Sequence, residues 1–333
     1  MGASIVSVAT ALPEHKLEAC EALARLRKFF PRLDKFELDG AALGSRYLCE
    51  PIDQLLERRG MTATSDAYRR HAACLALRSA SLALERAGMS GADVDMVITV
   101  SCTGYLVPSL DVHISEELGL RPDVIRLPIT ELGCSAGAAG ISAARRHLAG
   151  FPGQRVLVVA VEIPSLSFQE GDRSADNLTA CLVFGDGAGA AVVGAGGPLE
   201  LVDTASHLVP RTSQMLGFDL RDDGFHVVLD RRLTSVVRDE LAGAVRRFMP
   251  APDFYAVHAA GPRIFAAVEA ALALRNGALD VSRKVFAEVG NTSSAAIFFV
   301  LEKLLRDEAP KGDGLGLGIG PGVTFELMHL RRT

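Results

Sequence analysis

Short apolar segments alternate along this chain with longer segments of helical pattern, and this alternation limits the folds that the chain can adopt. The segments 94–101 and 155–162 are rich in valine and mostly apolar, which predicts buried strands. The segments 72–87 and 136–148 have apolar residues at helical spacing, and Gly88 ends the first of them. Strands that are apolar on both faces are typical of a parallel sheet covered by helices, so we expect an α/β fold.

The same pattern resumes after the glycine-rich segment 194–198, which we expect to separate two similar halves, residues 1–195 and residues 196–333. The elements predicted in the second half are a strand, two helices and a pair of strands, at 254–258, 262–274, 293–305, 314–320 and 323–329. The segment 49–68 is more charged and less periodic, and we expect it to be a surface insertion in the first half.

Composition and charge argue against several classes of function. The formal net charge of -5 is not that of a nucleic-acid-binding protein, which would present a basic face. No run approaches the roughly 18 apolar residues of a membrane span, and the N-terminus lacks a secretory signal, so we expect a cytoplasmic protein without a membrane span. The six cysteines are scattered without a CxxC pair, which predicts neither a disulfide framework nor a zinc site.

Two glycine-rich segments, FGDGAGAA at 184–191 and GLGLGIGPG at 314–322, lack the G-x-G-x-x-G spacing of a dinucleotide site. Both lead into predicted strands rather than into the helix N-terminus that binds a pyrophosphate. We therefore expect these glycines to mark places where the backbone closely approaches another part of the chain or a substrate.

Cys134 is the first of three candidate catalytic residues. It lies between Gly133 and a predicted helix rich in small residues, so its thiol would sit at the helix N-terminus. Unpaired N–H groups and the helix dipole favour a thiolate there and could stabilise an oxyanion. The alternative, which is the commoner role, is a buried cysteine that only packs.

The other two candidates are His258 and Asn291. His258 ends a predicted strand, at the edge where open α/β sheets bind ligands, although a structural hydrogen-bonding role is the alternative. Asn291 precedes a predicted helix and could merely cap it, but the Thr-Ser-Ser that follows could cap it equally well. Together, a cysteine, a histidine and an asparagine at such positions match a nucleophile, an acid–base group and a polarising amide.

The sequence around these residues resembles the thiolase superfamily and, within it, the type III polyketide synthases of the chalcone synthase family, most of all the bacterial members. The resemblance runs from about residue 94 to residue 330. Its motifs are GLRPDVIRLPITELGCSAGAAG around Cys134, LVFGDGAGAAVV at Phe184, RDDGF at Arg221, VHAAGPRI at His258, EVGNTSSA at Asn291 and GIGPGVTFE at Gly318. It implies a homodimer with a thiolase-like fold, in which two βαβαβ halves form a five-layered α-β-α-β-α arrangement.

The resemblance also implies an acyltransferase that uses coenzyme A thioesters as substrates and needs no cofactor. Cys134 would take the starter group from an acyl-CoA. His258 and Asn291 would bind the thioester carbonyl of malonyl-CoA and stabilise the enolate formed when CO2 leaves. The enolate would attack the acyl-cysteine in an iterative decarboxylative Claisen condensation, and the lengthened chain would cyclise to a pyrone or a resorcinol.

The resemblance assigns further residues to substrate binding. Phe184 would stand between the coenzyme A tunnel and the cavity, unless it is simply a core aromatic, and Val107 would reach into the cavity of the partner subunit. Arg46 and Arg263 would contact coenzyme A phosphates, unless they are merely solvated. The cavity would be lined by Cys102, Ser167, Phe218, Ser293, Gly318, Ile319, Gly320, Pro321 and Gly322.

The chain departs from the plant members of this family in two places. Ala259, Ala260 and Gly261 follow the histidine where the plant enzymes have Pro-Gly-Gly. Phe218 stands where they have a glycine, which should narrow the cavity. Both departures argue against a plant-like aromatic starter, and the segment 165–178 resembles alkylpyrone and alkylresorcinol synthases, which favours a fatty acyl starter.

Two other functions remain open on the sequence. A β-ketoacyl-ACP synthase III has the same fold and the same Cys-His-Asn set, but performs one condensation on an acyl carrier protein. The residues that follow His258 and the Gly-Pro-Gly loop at Gly320 argue against it. A non-catalytic acyl-binding subunit would be expected to have lost the nucleophile, whereas Cys134 is present.

Overall fold

The computed structural model describes residues 2–29, 44–57, 60–306 and 310–332, which form a mixed sheet with helices on both faces. The strands are β1 (Ser4–Ala11), β2 (His15–Glu18), β3 (Ser45–Leu48), β4 (Met96–Val100), β5 (Ile125–Ile129), β6 (Val156–Glu162), β7 (Gly187–Gly194), β8 (Leu199–Leu208), β9 (Leu216–Arg221), β10 (Gly224–Leu229), β11 (Phe254–Val257), β12 (Gly312–Gly320) and β13 (Thr324–Arg332). The α-helices are α1 (Ala19–Phe29), α2 (Ile52–Glu57), α3 (Gly60–Ala87), α4 (Leu110–Leu118), α5 (Ala136–Gly150), α6 (Ala175–Val183), α7 (Leu233–Phe248), α8 (Pro262–Leu272), α9 (Asp280–Val289) and α10 (Ala296–Arg306).

Nine of the described strands pair in the order β11-β12-β13-β8-β1-β7-β6-β4-β5. In the N-terminal half, β4 is parallel to β5 and β6, whereas β7 is antiparallel to both β6 and β1. In the C-terminal half, β11 is parallel to β12, and β13 is antiparallel to both β12 and β8. The sheet is therefore mixed rather than parallel throughout. For β12 and β13 the reason is the connecting turn, which is too short for a parallel crossover.

The two halves repeat the same pairing pattern. The run β4-β6-β7-β1 in the first half and the run β11-β12-β13-β8 in the second each contain one parallel and two antiparallel pairings. The halves meet where β1 pairs with β8, at Ser4 with Glu200 and at Ile5 with Leu199. This internal repeat is the arrangement expected of a thiolase-like fold.

Helices α5 and α10 form the middle layer of the molecule. Helix α5 contacts β4 and β6 of the first half and β12 and β13 of the second, and α10 contacts β1, β7 and β11. Helix α3 covers the outer face of the first half, and α7 lies on the second half at β13. Small residues let α5 approach closely, because a side chain at Gly137 would overlap the Ser294 carbonyl oxygen. The result is the five-layered α-β-α-β-α arrangement implied by the sequence.

The segment 49–68 is not a surface insertion. It contains α2 and the first residues of α3, and its side chains Ile52, Leu55, Leu56 and Tyr68 are buried in the core. Helix α3 was predicted only from residue 72 onwards because small residues such as alanine and threonine form much of its buried face, which weakens the hydrophobic pattern. None of the described helices is both long and apolar enough to cross a membrane.

Candidate active site

Cys134 lies on a three-residue 3₁₀ turn that leads directly into α5. Gly133 has a φ of 55°, in the left-handed region that favours glycine, and a side chain at this position would overlap the ring of Pro321. Gly320 lies against the same turn, because a side chain there would overlap the Ser135 hydroxyl. The glycines therefore let the turn between β12 and β13 pack against the turn that carries the thiol.

Cys134 lines a cavity with a volume of about 470 Å³, a size usual for small-molecule sites. The predicted substrate-binding residues on its wall are Cys102, Phe184, Phe218, Ser293 and Pro321. Another part of the wall comes from the β9–β10 hairpin, which was not predicted, through Leu216, Phe225, Val227 and Leu229. The available signal was the aromatic and β-branched content of GFHVVL at 224–229, which begins with a glycine.

The thiol of Cys134 accepts a hydrogen bond from the Ser293 hydroxyl at 3.3 Å. The Cys102 sulfur lies 3.5 Å from the same hydroxyl, so Ser293 contacts both sulfur atoms. Burial raises the pKa of Cys134 to about 11, although the bond from Ser293 opposes this shift. Burial therefore opposes the ionisation that the helix N-terminus favours.

Glu162 is a fully buried carboxyl group beside the cavity that the sequence analysis did not single out. It accepts hydrogen bonds from the Thr103 hydroxyl at 2.7 Å and from the Cys102 thiol at 3.3 Å, and the Ser294 hydroxyl also donates to it. Burial raises the pKa of Glu162. The available signal was an acidic residue that ends an otherwise apolar strand, since an isolated buried carboxylate is costly.

His258 follows the last residue of β11, and its side chain is buried. The backbone N–H of Ile319 donates to His258 Nδ1 at 3.3 Å. When Nδ1 accepts this bond, the ring proton of the neutral imidazole is on Nε2, where it can be donated to an oxyanion. Burial lowers the pKa of His258 to about 4, although the Leu317 carbonyl opposes this shift, so the ring is neutral at pH 7.

Asn291 uses its side-chain oxygen within the fold and leaves its amide nitrogen unbonded to the described part of the chain. Its Oδ1 accepts the backbone N–H of Ser293 at 2.9 Å, just before the 3₁₀ turn that leads into α10. Its backbone bridges to Phe184, with the Asn291 N–H donating to the Val183 carbonyl at 2.9 Å. Its Nδ2 amide donates no hydrogen bond to any side chain or backbone group in the described part of the chain, so it can bind a substrate oxygen.

The three candidate residues meet at one junction of the fold. Cys134 contacts Ser293, whose backbone binds the Asn291 side chain. His258 binds Ile319, and the glycines on either side of Ile319 pack against Ser135, next to the thiol. Of the three, Cys134 is on the wall of the cavity.

Several predicted substrate contacts lie elsewhere. Ser167 is buried and donates its hydroxyl to the Pro164 carbonyl, so Pro164 rather than Ser167 lines the cavity. Of the residues 318–322, Pro321 is the one on the cavity wall. Gly318 and Gly320 pack against Ser135 in the turn of Cys134, and Gly322 lies against Leu208.

Arg46 is not placed to contact coenzyme A. Its side chain is buried, its Nε donates to the Leu182 carbonyl at 3.1 Å, and its guanidinium lies 4.6 Å from the centre of the Phe286 ring. Burial lowers its pKa to about 9. Arg46 therefore holds backbone segments together in the core.

The other two predicted contacts, Arg263 and Val107, are on the surface. Arg263 is exposed in the first turn of α8, and Val107 is 80% exposed.

No group of three or more histidine, cysteine, aspartate or glutamate side chains within residues 2–29, 44–57, 60–306 and 310–332 is placed to hold a metal ion. At the candidate site, the Cys134 thiol lines the cavity, and a neutral imidazole and an amide belong to the same junction. Such a set can form a thioester with an acyl group and stabilise an oxyanion.

Comparisons with known proteins agree with this chemistry. Residues 52–197 match the family model for the N-terminal domain of chalcone and stilbene synthases, and residues 200–333 match the model for their C-terminal domain. A 1,3,6,8-tetrahydroxynaphthalene synthase from Streptomyces peucetius subsp. caesius is 36% identical, over 99% of this chain and 93% of the relative. A phloroglucinol synthase from Pseudomonas fluorescens is 32% identical, over 95% of each chain.

A solved structure is also similar to this chain over nearly its whole length. The crystal structure of 1,3,6,8-tetrahydroxynaphthalene synthase from Streptomyces coelicolor A3(2), a bacterial type III polyketide synthase, has a TM-score of 0.94 and 32% identity over 99% of both chains. With both family domains matched in order, this chain belongs to the chalcone and stilbene synthases, the type III polyketide synthases, which are acyltransferases that catalyse Claisen condensations.

Proposed function

We propose that this enzyme extends an acyl-CoA starter repeatedly with malonyl-CoA and cyclises the product. The observation that carries the proposal is the Cys134 thiol on the cavity wall, joined through Ser293 to Asn291, with the neutral ring of His258 at the same junction. The first half of the chain, 1–195, supplies the nucleophile, and the second half, 196–333, supplies the two residues proposed to bind the carbonyl.

In the proposed reaction, Cys134 loses its proton and attacks the starter thioester, and the coenzyme A thiol leaves with a proton. Malonyl-CoA then loses CO2, and the electron pair of the broken C–C bond forms an enolate. The Nδ2 amide of Asn291 and the Nε2–H of His258 donate hydrogen bonds to the enolate oxygen. The enolate carbon attacks the acyl-cysteine and releases Cys134, and the extended chain returns to the thiol for another round.

We further propose a small starter and a hydroxylated aromatic product. The relatives named above are synthases of a tetrahydroxynaphthalene and of phloroglucinol. Phe218 and Phe225 pack edge to face, with ring centres 5.6 Å apart, on the cavity wall, which limits the room for a long acyl chain. A fatty acyl starter with a pyrone or resorcinol product is the second candidate, because the β9–β10 hairpin makes that wall apolar.

We also propose that the enzyme is a homodimer joined at the edge strand β5. This strand has one neighbour in the sheet, so its outer backbone groups are available for pairing. Its side chains Ile125 and Leu127 are exposed, as are Tyr105, Val107 and Leu132. An exposed apolar group of this kind is typical of an interface, and a second copy would bring Val107 close to the partner's cavity.

Arg263 is the proposed contact for a coenzyme A phosphate. It is exposed in the first turn of α8, where the helix dipole also favours an anion. Replacing it with alanine should raise the KM for malonyl-CoA about threefold to tenfold with little change in kcat, as expected for the loss of one surface ion pair. An unchanged KM would place the phosphates elsewhere.

The first experiment is to incubate the protein with malonyl-CoA, alone and with acyl-CoA starters of increasing length, and to identify the products by mass spectrometry. Products with two or more malonyl-derived units, absent with Cys134→Ala, would support the proposal, and their composition would identify the starter. A single condensation, seen only with malonyl on an acyl carrier protein, would indicate a β-ketoacyl-ACP synthase III. No product from either donor, with Cys134 inert to iodoacetamide, would indicate an acyl-binding subunit.

A further inference from the structure

The β9–β10 hairpin is a separate two-stranded sheet whose two faces have different surroundings. One face contributes Phe218, Phe225 and Val227 to the cavity wall. Because side chains alternate along a strand, His226 points away from the cavity, and its side chain is only 7% exposed. A buried histidine between two cavity-lining residues is therefore placed to hold the wall from behind.

The buried ring of His226 lies between two carboxylates. Its Nε2 is 2.8 Å from Asp223 Oδ1, in the hairpin turn, and its Nδ1 is 3.5 Å from Asp172 Oδ2, in the loop before α6. Arg221 Nη1 is 3.3 Å from the same Nδ1, and Asp219 lies 3.3 Å from Arg221. These are the charged side chains that the structure places around the ring. The histidine thus links the hairpin to a different segment of the chain.

Two further hydrogen bonds join the same two segments. The Gln169 side-chain amide donates to the Phe225 carbonyl at 3.3 Å, and the Leu229 N–H donates to Asp176 Oδ2 at 2.9 Å. The Asp172 side of the contact is held by a hydrogen bond of its own, in which Asn177 Nδ2 donates to the Asp172 carbonyl at 2.8 Å. The position of the aromatic wall is therefore set by the segment 169–177, and His226 is the buried side chain at the centre of that contact.

We propose that His226 is a positioning residue that holds the Phe218–Phe225 wall against the segment 169–177 and so determines how many malonyl units are added before the product leaves. This inference rests on the proposed function, because it needs an iterative reaction in this cavity. Displacing the wall changes the space available to the growing chain, and misplacement of a chain by about 1 Å is enough to change reaction rates substantially.

The test compares His226→Ala, which removes the contacts, with His226→Gln, whose amide can still donate to Asp223 and accept from Arg221. The matched control is His329→Ala, because His329 also binds an aspartate, Asp313, at 2.9 Å, but lies at the far end of β13. Each protein is incubated with malonyl-CoA, alone and with hexanoyl-CoA, and the products are quantified by mass spectrometry. Amide hydrogen exchange of residues 216–229 is measured on the same samples.

In His226→Ala we expect the ratio of the longest to the shortest product to fall at least about fivefold, the factor for a change of about 1 kcal/mol, and exchange in the hairpin to increase. His226→Gln should restore the wild-type ratio to within about twofold, and His329→Ala should change neither quantity. Unchanged hairpin exchange in His226→Ala would overturn the inference, even if the wild-type protein formed no product. An active wild type with equal product ratios in all variants would also overturn it while leaving the proposed function intact.

Discussion

At the scale of single residues, Ser293 has an unusual backbone conformation next to the nucleophile. Its φ is 52°, in the left-handed region that costs a residue other than glycine about 1 kcal/mol. In this conformation its hydroxyl lies 3.3 Å from the Cys134 sulfur and its N–H binds Asn291. Strain of this kind is found where the surrounding structure holds a residue in place for function.

Replacing Ser293 with alanine should slow the alkylation of Cys134. Without the donated hydrogen bond the pKa of the thiol rises further, so the thiolate fraction at pH 8 falls, by about fivefold for a bond of about 1 kcal/mol. The measurement is the rate of iodoacetamide labelling of the Cys134 peptide by mass spectrometry. Ser142→Ala is the control, since Ser142 is buried and its hydroxyl has no hydrogen-bond partner among the described residues. An unchanged rate would show that the contact does not stabilise the thiolate.

The buried ring of His258 should make the protein less stable in acid. Its pKa is about 4 in the folded chain and 6.5 for an unperturbed histidine, so the unfolded chain binds the extra proton between these values. Stability from this group is complete above pH 6.5 and is lost as the pH falls to 4, by about 3 kcal/mol. Asp186 has the opposite effect over part of this range: burial raises its pKa to about 6, so its contribution to stability increases as the pH falls.

The contribution of His258 is therefore measured as a difference. Urea unfolding of the wild type and of His258→Gln at one protein concentration should give a stability difference that shifts against the wild type by about 3 kcal/mol between pH 7 and pH 4. A difference that does not change with pH would mean that the ring is protonated in the folded protein or exposed to water.

At the scale of secondary-structure elements, the packing of α5 between the two halves depends on its small residues. Ala136, Gly137, Ala138 and Gly140 are buried, and Gly140 lies against Val158 of β6. Because the same helix carries the catalytic turn at its start, its position also determines where the thiol lies. A larger side chain in its first turn should therefore affect both stability and activity.

Gly137→Ala should destabilise the protein by about 1–3 kcal/mol in urea unfolding, because the new methyl group would overlap the Ser294 carbonyl oxygen. It should also lower turnover, since Ser294 is adjacent to Ser293. Gly150→Ala, at the other end of the same helix, is the matched control, because a methyl group there meets nothing within 4 Å. Equal stability of the two variants would mean that the chain can shift to accommodate the methyl group.

At the scale of the whole molecule, the exposed edge strand β5 predicts self-association. In size-exclusion chromatography with multi-angle light scattering, the wild type should have a mass twice the chain mass of 35.3 kDa. Leu127→Lys places a charge on the strand and should shift the protein towards the monomer. Leu208→Lys is the control, because Leu208 is 63% exposed on β8, away from that edge. A dimer in both variants would place the interface elsewhere.

The elements that were predicted correctly are those whose pattern is local. Strands β4 and β6 and helix α5 are short runs whose apolar or small residues are contiguous in the sequence, so their burial is visible without the fold. The two strands at the C-terminus were also predicted, because a short turn joins them. The motifs at Cys134, His258 and Asn291 identify the family through residue type and order alone.

What only the tertiary structure decided depends on contacts between distant parts of the chain. Ser293 and Cys134 are 159 residues apart, and no local pattern predicts the hydrogen bond that joins them. Arg46 looked like a surface cation because two of its carbonyl partners, Leu182 and Phe286, are more than 100 residues away. The start of a helix favours a thiolate at Cys134, whereas burial, which comes from the whole fold, raises the pKa of the thiol. Sequence patterns report local periodicity and residue chemistry, whereas desolvation and the contacts that position a site arise only when the chain packs.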